Sequence, residues 1–128
     1  MTSQPNDAHF IETYKSLITI SVEGFKFCAL VNGGSAVALL AYLGNVVGKG
    51  AAAPDMRIPM AAFLLGLAFC GFAMFFAYLT QLRLLNEPAQ PQVVAFRHNR
   101  FLKLAMLLVV FSLVAFSVGS WQAVIRFQ

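Results

Sequence analysis

The chain has 128 residues, of which 59% are apolar and only 11% are charged. Soluble globular chains carry roughly 25% charged residues, so this composition, with a mean hydropathy of +0.75, excludes an ordinary soluble domain and is typical of a membrane protein. The nine Lys and Arg exceed the five Asp and Glu, which gives a formal net charge of +4.

The N-terminal segment divides into a polar start and a periodic stretch. Residues 1–7 are polar and are predicted to be disordered. Over residues 8–25 the apolar and polar side chains separate onto two faces at helical spacing, which predicts an amphipathic helix. The sequence leaves three arrangements open for this helix: it lies in the headgroup layer, continues straight into the first span, or packs on a neighbouring protein.

Three uncharged apolar runs follow, at about residues 27–48, 58–82 and 104–125. A bilayer core about 30 Å thick needs about 20 helical residues, so each run is long enough to cross it. A cleaved signal peptide explains the first run less well, because its apolar core would be only about 7 to 15 residues. The predicted fold class is an all-α membrane protein, with three transmembrane helices, in a domain over residues 26–128, preceded by the amphipathic helix.

The first run contains the sequence Asn32, Gly33, Gly34, Ser35, which would mark a tight turn in a soluble protein. A helix through these residues satisfies its own backbone amides, and it lets a neighbouring helix approach the glycines while the polar side chains bond across the contact. The alternative is a break whose freed backbone groups line a cavity or an ion path. The continuous helix is preferred, because no proline assists a break.

Small residues recur at spacings of three and four in each span, and such stripes let helix backbones approach closely. The predicted helix-packing residues are Asn32, Gly33, Gly34, Ser35, Ala38, Ala41 and Gly48 in the first span, Gly66, Ala73 and Ala77 in the second, and Ser112 and Gly119 in the third. We therefore predict tight packing along these faces, within the chain or between copies.

Positive charges at the span ends predict the orientation. The N-terminal segment and the second loop would share one side of the membrane and hold six of them, Lys15, Lys26, Arg83, Arg97, Arg100 and Lys103, while the other side holds Lys49, Arg57 and Arg126. The N-terminus is therefore predicted to be cytoplasmic and the C-terminus periplasmic.

A basic strip precedes the third span. It consists of Arg97, His98, Arg100 and Lys103. The strip is predicted to contact anionic lipid headgroups. The alternative is a binding patch for a nucleotide, a nucleic acid or an acidic partner. Four positive residues without interleaved aromatic residues are a weak signal for it, so specific nucleic-acid binding is not predicted.

No Asp, Glu, His, Lys or Arg lies inside any of the three runs. Proton-coupled transport and intramembrane proteolysis need such groups at membrane depth. Cys28 and Cys70 are isolated within spans, and His9 and His98 have no nearby second ligand, so neither a metal nor another cofactor is predicted. The sequence therefore predicts a protein that is not an enzyme.

Three segments carry a resemblance: LVNGGSAVALLAYLG, FLLGLAFCGFAMFFAYLTQLRL and RHNRFLKLAMLLVVFSLVAFSVGSW. They resemble a family of small uncharacterised bacterial inner-membrane proteins, which has an NGG(A/S)AVALLA(F/Y)LG first span and an AYLTQ second span. The resemblance implies a bacterial inner-membrane location and three spans. It implies no activity or site residue.

The preferred hypothesis is a non-enzymatic integral membrane protein that self-associates through its small-residue helix faces, with a pore or a membrane-effector role for the assembly. Its expected partners are the lipid bilayer and further copies of itself. One alternative is an accessory subunit that packs on a larger membrane complex. Another is a phage holin, which fits the size and number of spans.

Overall fold

A computed structural model describes residues 4–85 and 95–127, and it places side chains over 11–82 and 100–127. The described residues form three helices, α1 (Gln4–Gly48), α2 (Arg57–Leu85) and α3 (Ala95–Arg126). Each contains a stretch long and apolar enough to cross a membrane. Within these described residues, the prediction of an all-helical fold with three such helices is confirmed. The start of the predicted disordered segment, residues 1–3, lies outside the described residues.

Helix α1 is continuous over its 45 residues, which corresponds to about 68 Å at 1.5 Å per residue. It includes the Asn32 to Ser35 stretch, and Gly50 alone has a positive φ among the described residues. The alternative of a broken helix at these glycines is therefore wrong. Residues 8–25 and the first span form one helix, which is one of the three arrangements that the sequence left open.

Helix α1 ends in a glycine-dependent cap. Gly50 adopts a φ of +73°, in the left-handed region that only glycine enters without strain. The Ala51 amide donates to the Val46 carbonyl at 3.2 Å, and the Gly50 amide donates to the Val47 carbonyl at 2.9 Å. These are the two bonds of a Schellman cap, and they satisfy carbonyls that the helix end would otherwise leave unpaired.

The start of α2 and the end of α3 meet at Asp55. Its carboxylate accepts from the Arg57 amide at 3.1 Å and so caps α2, while the Arg126 guanidinium donates to the Asp55 carbonyl at 2.7 Å. The rings of Tyr42 and Phe127 meet edge to face, with centroids 4.8 Å apart. Tyr42 is thus level with the end of α3, and α1 continues for six more residues, about 9 Å, past this level.

Helices α2 and α3 share the most extensive contact, and α1 packs mainly on α2. Gly119 of α3 faces the ring of Phe63 of α2, and this ring also lies against Phe116, with centroids 6.1 Å apart. The buried apolar cluster consists of Ala36, Leu39, Met56 and Phe63. Large apolar side chains such as Leu30, which is 73% exposed, cover the outside, as expected for a surface that faces lipid.

Candidate functional site

The three helices are joined at their centre by a polar junction, which consists of Asn32 from α1, Gly66 from α2 and Ser112 from α3. Asn32 and Ser112 are 0% exposed, and Gly66 is also buried. All three belong to stretches that can span a membrane. In hydrocarbon no water can satisfy such groups, so they must bond to one another.

The hydrogen bonds of the polar junction tie α3 to both α1 and α2. The Ser112 hydroxyl donates to the Gly66 carbonyl at 2.8 Å, which joins α3 to α2. The Asn32 amide nitrogen donates to the Ser112 hydroxyl at 3.1 Å and to the Cys28 carbonyl of its own helix at 3.0 Å. Ser112 therefore acts as both donor and acceptor, and Asn32 holds α1 against the α2–α3 pair.

The Asn32 Oδ1 atom is buried without a conventional hydrogen-bond donor, and Gly66 explains how it fits. A Cβ built on Gly66 would lie 2.6 Å from Asn32 Cγ and closer still to Oδ1. In glycine a hydrogen occupies the direction of this Cβ, so a Cα–H bond of Gly66 points at Asn32 Oδ1. Such Cα–H···O contacts recur at helix–helix interfaces. A glycine is required at 66 because the amide of Asn32 occupies the space of any side chain.

The two cysteines lie next to the polar junction. The Cys70 thiol donates to the Phe25 carbonyl of α1 at 3.3 Å, while the Cys28 carbonyl accepts from Asn32. Both thiols are buried. Among the side chains that the structure places, no three His, Cys, Asp or Glu are grouped to hold a metal ion.

The structure separates the predicted helix-packing residues into two sets. Those in or beside the interior are Asn32, Gly33, Ser35, Gly66, Ala73, Ala77, Ser112 and Gly119; those on the outside of α1 are Gly34, Ala38, Ala41 and Gly48. All four residues of the outer set are exposed, so they do not line the interior of a single chain. At 100° per residue the outer set lies nearly opposite Asn32.

The interior face of α1 is instead formed by Cys28, Asn32, Ala36 and Leu39. Sequence reasoning included Asn32 but missed Ala36 and Leu39. The signal that could have found this face is Asn32 itself: a polar amide in an apolar run must face protein, so the residues one turn on either side of it should also face inward.

Of the basic strip, Arg100 and Lys103 are exposed at the start of α3. The side chains of Arg97 and His98 lie outside the part that the structure describes. On α1, Lys26 Nζ pairs with Glu23 Oε1 at 2.7 Å, and both side chains are exposed, so this pair adds little stability.

No family model, no curated protein and no solved structure matches this chain.

The Ser112 hydroxyl provides a direct test of the polar junction. We expect Ser112→Ala to lower the free energy of unfolding by about 1 kcal/mol, because a bond between helices is lost in a dry interior. The measurement is SDS-induced unfolding in micelles, followed by helical circular dichroism. Ser117→Ala is the control, since this exposed hydroxyl bonds only to the Leu113 carbonyl of its own helix. Equal effects of the two changes would contradict the role of Ser112.

Proposed function

We propose that this chain is a non-enzymatic, multi-pass protein of the bacterial inner membrane that self-associates through α1. The association would use the outer small-residue face, defined as Gly34, Ala38, Ala41 and Gly48. The observation that carries the proposal is the exposure of this whole face: a Cβ added at Gly34 or Gly48 would meet nothing within 4 Å.

Helix association in lipid depends on close backbone approach rather than on burial of apolar area. The outer small-residue face follows one side of α1 over four turns and offers such an approach to a second helix. The interior of the bundle is already filled by the polar junction and by larger side chains such as Phe63 and Leu39. A second copy therefore has this face available without any rearrangement of the bundle.

A path for ions or solutes would have to lie between copies. The polar groups at the centre of one bundle are buried and bond to one another, so a single chain offers them to no permeant species. A pore or membrane-effector role therefore depends on assembly.

The nucleophilic side chains of the interior support a structural role rather than catalysis. The Ser112 hydroxyl donates to a backbone carbonyl, and so does the Cys70 thiol. A carbonyl cannot remove the proton from either group, whereas nucleophilic catalysis needs an adjacent base.

The proposed orientation places the N-terminus in the cytoplasm and the C-terminus in the periplasm. Its support is the excess of six positive charges over three on the N-terminal side. The bacterial inner membrane is proposed from the resemblance of the span motifs.

The oligomeric state tests the proposal. We expect wild-type protein expressed alone to form a discrete oligomer in mild detergent, and Gly34→Leu to convert it to monomer, because the added side chain would separate the backbones. Light scattering coupled to size-exclusion chromatography measures the mass. The control is Gly71→Leu, because Gly71 is also exposed and open but lies on α2. A wild-type monomer, or equal behaviour of the two variants, would contradict self-association.

Liposomes that contain the wild-type protein would then distinguish the pore role. Ion leakage that is lost with Gly34→Leu and retained with Gly71→Leu would support it. If liposomes that contain the oligomer do not leak ions, the protein self-associates but does not form a pore.

An accessory role in a larger membrane complex is the second candidate, and the length of α1 favours it. At 45 residues, α1 is much longer than α2 with 29, so its N-terminal turns extend past the cytoplasmic end of α2. A projecting helix suits docking on another protein. This role predicts a large partner that co-purifies under mild solubilisation and a monomer when the chain is expressed alone.

A further inference from the structure

The connection between α1 and α2 covers one end of the helical bundle. Residues 51–56 have no regular secondary structure, and they lead from the glycine-dependent cap of α1 to the first turn of α2. We call this connection the strap. Its first three residues are exposed alanines, whereas its last residue, Met56, is only 3% exposed. The strap is therefore an exposed segment that places one long side chain inside the bundle.

Met56 completes the buried apolar cluster at this end. The cluster also contains Ala36 and Leu39 of α1 and Phe63 of α2, and all of these side chains are buried. Met56 itself lies outside α2, which begins at Arg57. Its position in the cluster therefore depends on where the strap lies.

One side chain of α3 holds the strap against the bundle. Arg126 Nη1 donates to the main-chain carbonyl of Asp55 at 2.7 Å and lies 3.6 Å from Asp55 Oδ2. Within residues 11–82 and 100–127, no other hydrogen bond joins the strap to anything beyond the adjoining ends of α1 and α2. A hydrogen bond from a charged donor is stronger than a neutral one, so Arg126 is the main polar attachment of the strap to α3.

Arg57 also contacts Asp55, but it does not attach the strap to another helix. Its Nε atom lies 3.9 Å from Asp55 Oδ1, and its side chain is 93% exposed, against 29% for Arg126. The two residues are close in the chain, so this pair remains within one segment, and such an exposed pair adds little stability. Of the two arginines at Asp55, only Arg126 reaches it from α3.

We propose that the strap is a movable cover over the apolar cluster and that Arg126, through the Asp55 carbonyl, keeps it closed. Release of this bond would let Asp55 and Met56 move outward and would uncover Leu39 and Phe63. The polar junction would remain intact, because Ser112 lies about 21 Å from Arg126 along α3. Local openings of this kind need less free energy than global unfolding.

Oxidation of Met56 by hydrogen peroxide measures the open state. Peroxide transfers one oxygen atom to the thioether sulfur and leaves water, which gives the sulfoxide. When opening and closing are faster than the chemical step, the rate follows the population of the open state. We expect Arg126→Gln to oxidise at Met56 about tenfold faster than wild type in detergent, because a hydrogen bond from a charged donor is lost. Peptide mass spectrometry measures the sulfoxide at this position.

Two variants at the same place are the controls. Arg57→Gln removes the same charge from the other arginine, and it should change Met56 oxidation by less than about twofold. Asp55→Asn should also change it by less than about twofold, because asparagine still caps α2 and the main-chain carbonyl still accepts from Arg126. The buried thiols of Cys28 and Cys70 report on wider opening of the bundle, and they should stay unreactive toward a maleimide in every variant.

Equal Met56 oxidation in wild type and Arg126→Gln would overturn the proposal, and so would equal acceleration by Arg126→Gln and Arg57→Gln. If Asp55→Asn accelerated oxidation as much as Arg126→Gln, the carboxylate rather than the carbonyl would hold the strap, contrary to the proposal. Reactive cysteines in Arg126→Gln would show that the whole bundle opens, so the strap would not be a separate movable element.

Discussion

Replacing Gly66 with alanine is expected to lower the free energy of unfolding by about 2 kcal/mol, the usual magnitude for overpacking a filled interior. The new methyl group would lie 2.6 Å from Asn32 Cγ and closer to Oδ1. The Asn32 amide would have to leave its position, and its bond to Ser112 would be lost. SDS-induced unfolding in micelles, followed by helical circular dichroism, measures the change.

Gly71→Ala is the control on the same helix. A Cβ there meets nothing within 4 Å, so this variant should be as stable as wild type or slightly more stable, since alanine favours helix over glycine. When Asn32 is already replaced by alanine, the further change Gly66→Ala should lower the free energy of unfolding much less than it does in wild type, because the clashing amide is absent. Additive effects of the two substitutions would show that Asn32 and Gly66 are not in contact.

Replacing Gly119 with alanine should also lower the free energy of unfolding by about 2 kcal/mol. The added Cβ would lie 2.8 Å from Phe63 Cε1 and 3.2 Å from Ala62 Cβ. The Phe63 ring is 4% exposed and packs against Phe116, so it cannot move away without disturbing the α2–α3 contact. The same unfolding measurement applies.

Phe63→Leu provides the second-site test, because a smaller side chain leaves room for the new methyl group. The double variant should lose less stability than the sum of the two single variants. Gly44→Ala, at an open position on α1, should be close to wild type. If Gly44→Ala and Gly119→Ala were equally destabilising, the cause would be the loss of glycine in general rather than the contact with Phe63.

Composition and uncharged run length were enough to predict three membrane-length helices, because the cost of burying backbone and charge in lipid constrains a sequence strongly. Of the small residues in α2 and α3, Gly66, Ala73 and Gly119 are buried, whereas Gly71 of α2 is exposed. The spacing of three and four, rather than small size alone, indicates the side on which neighbours can approach.

Helix α1 shows why the same reasoning is incomplete. It has small residues on one side, such as Gly34 and Ala41, and Cys28, Asn32 and Ala36 on the other. Both sets have helical periodicity. Which of them faces the interior depends on contacts with Ser112 and Gly66, which lie far away in the sequence.

The depth of α1 could not be predicted for a related reason. Charged residues define the ends of the uncharged run in α1. The position of α1 along the axes of α2 and α3 is instead determined by contacts such as that of Tyr42 with Phe127. Contacts of this kind join residues distant in the chain, and no local pattern reports them.

The position of the polar junction along α1 has a mechanical consequence. Asn32 lies between two further contacts of α1: the Phe25 carbonyl, which accepts from the Cys70 thiol, and Tyr42, which meets Phe127. These contacts hold about 26 Å of the helix, from residue 25 to residue 42, against α2 and α3. The helix should therefore move as one rigid body over this length, and tilting should be confined to the turns beyond it.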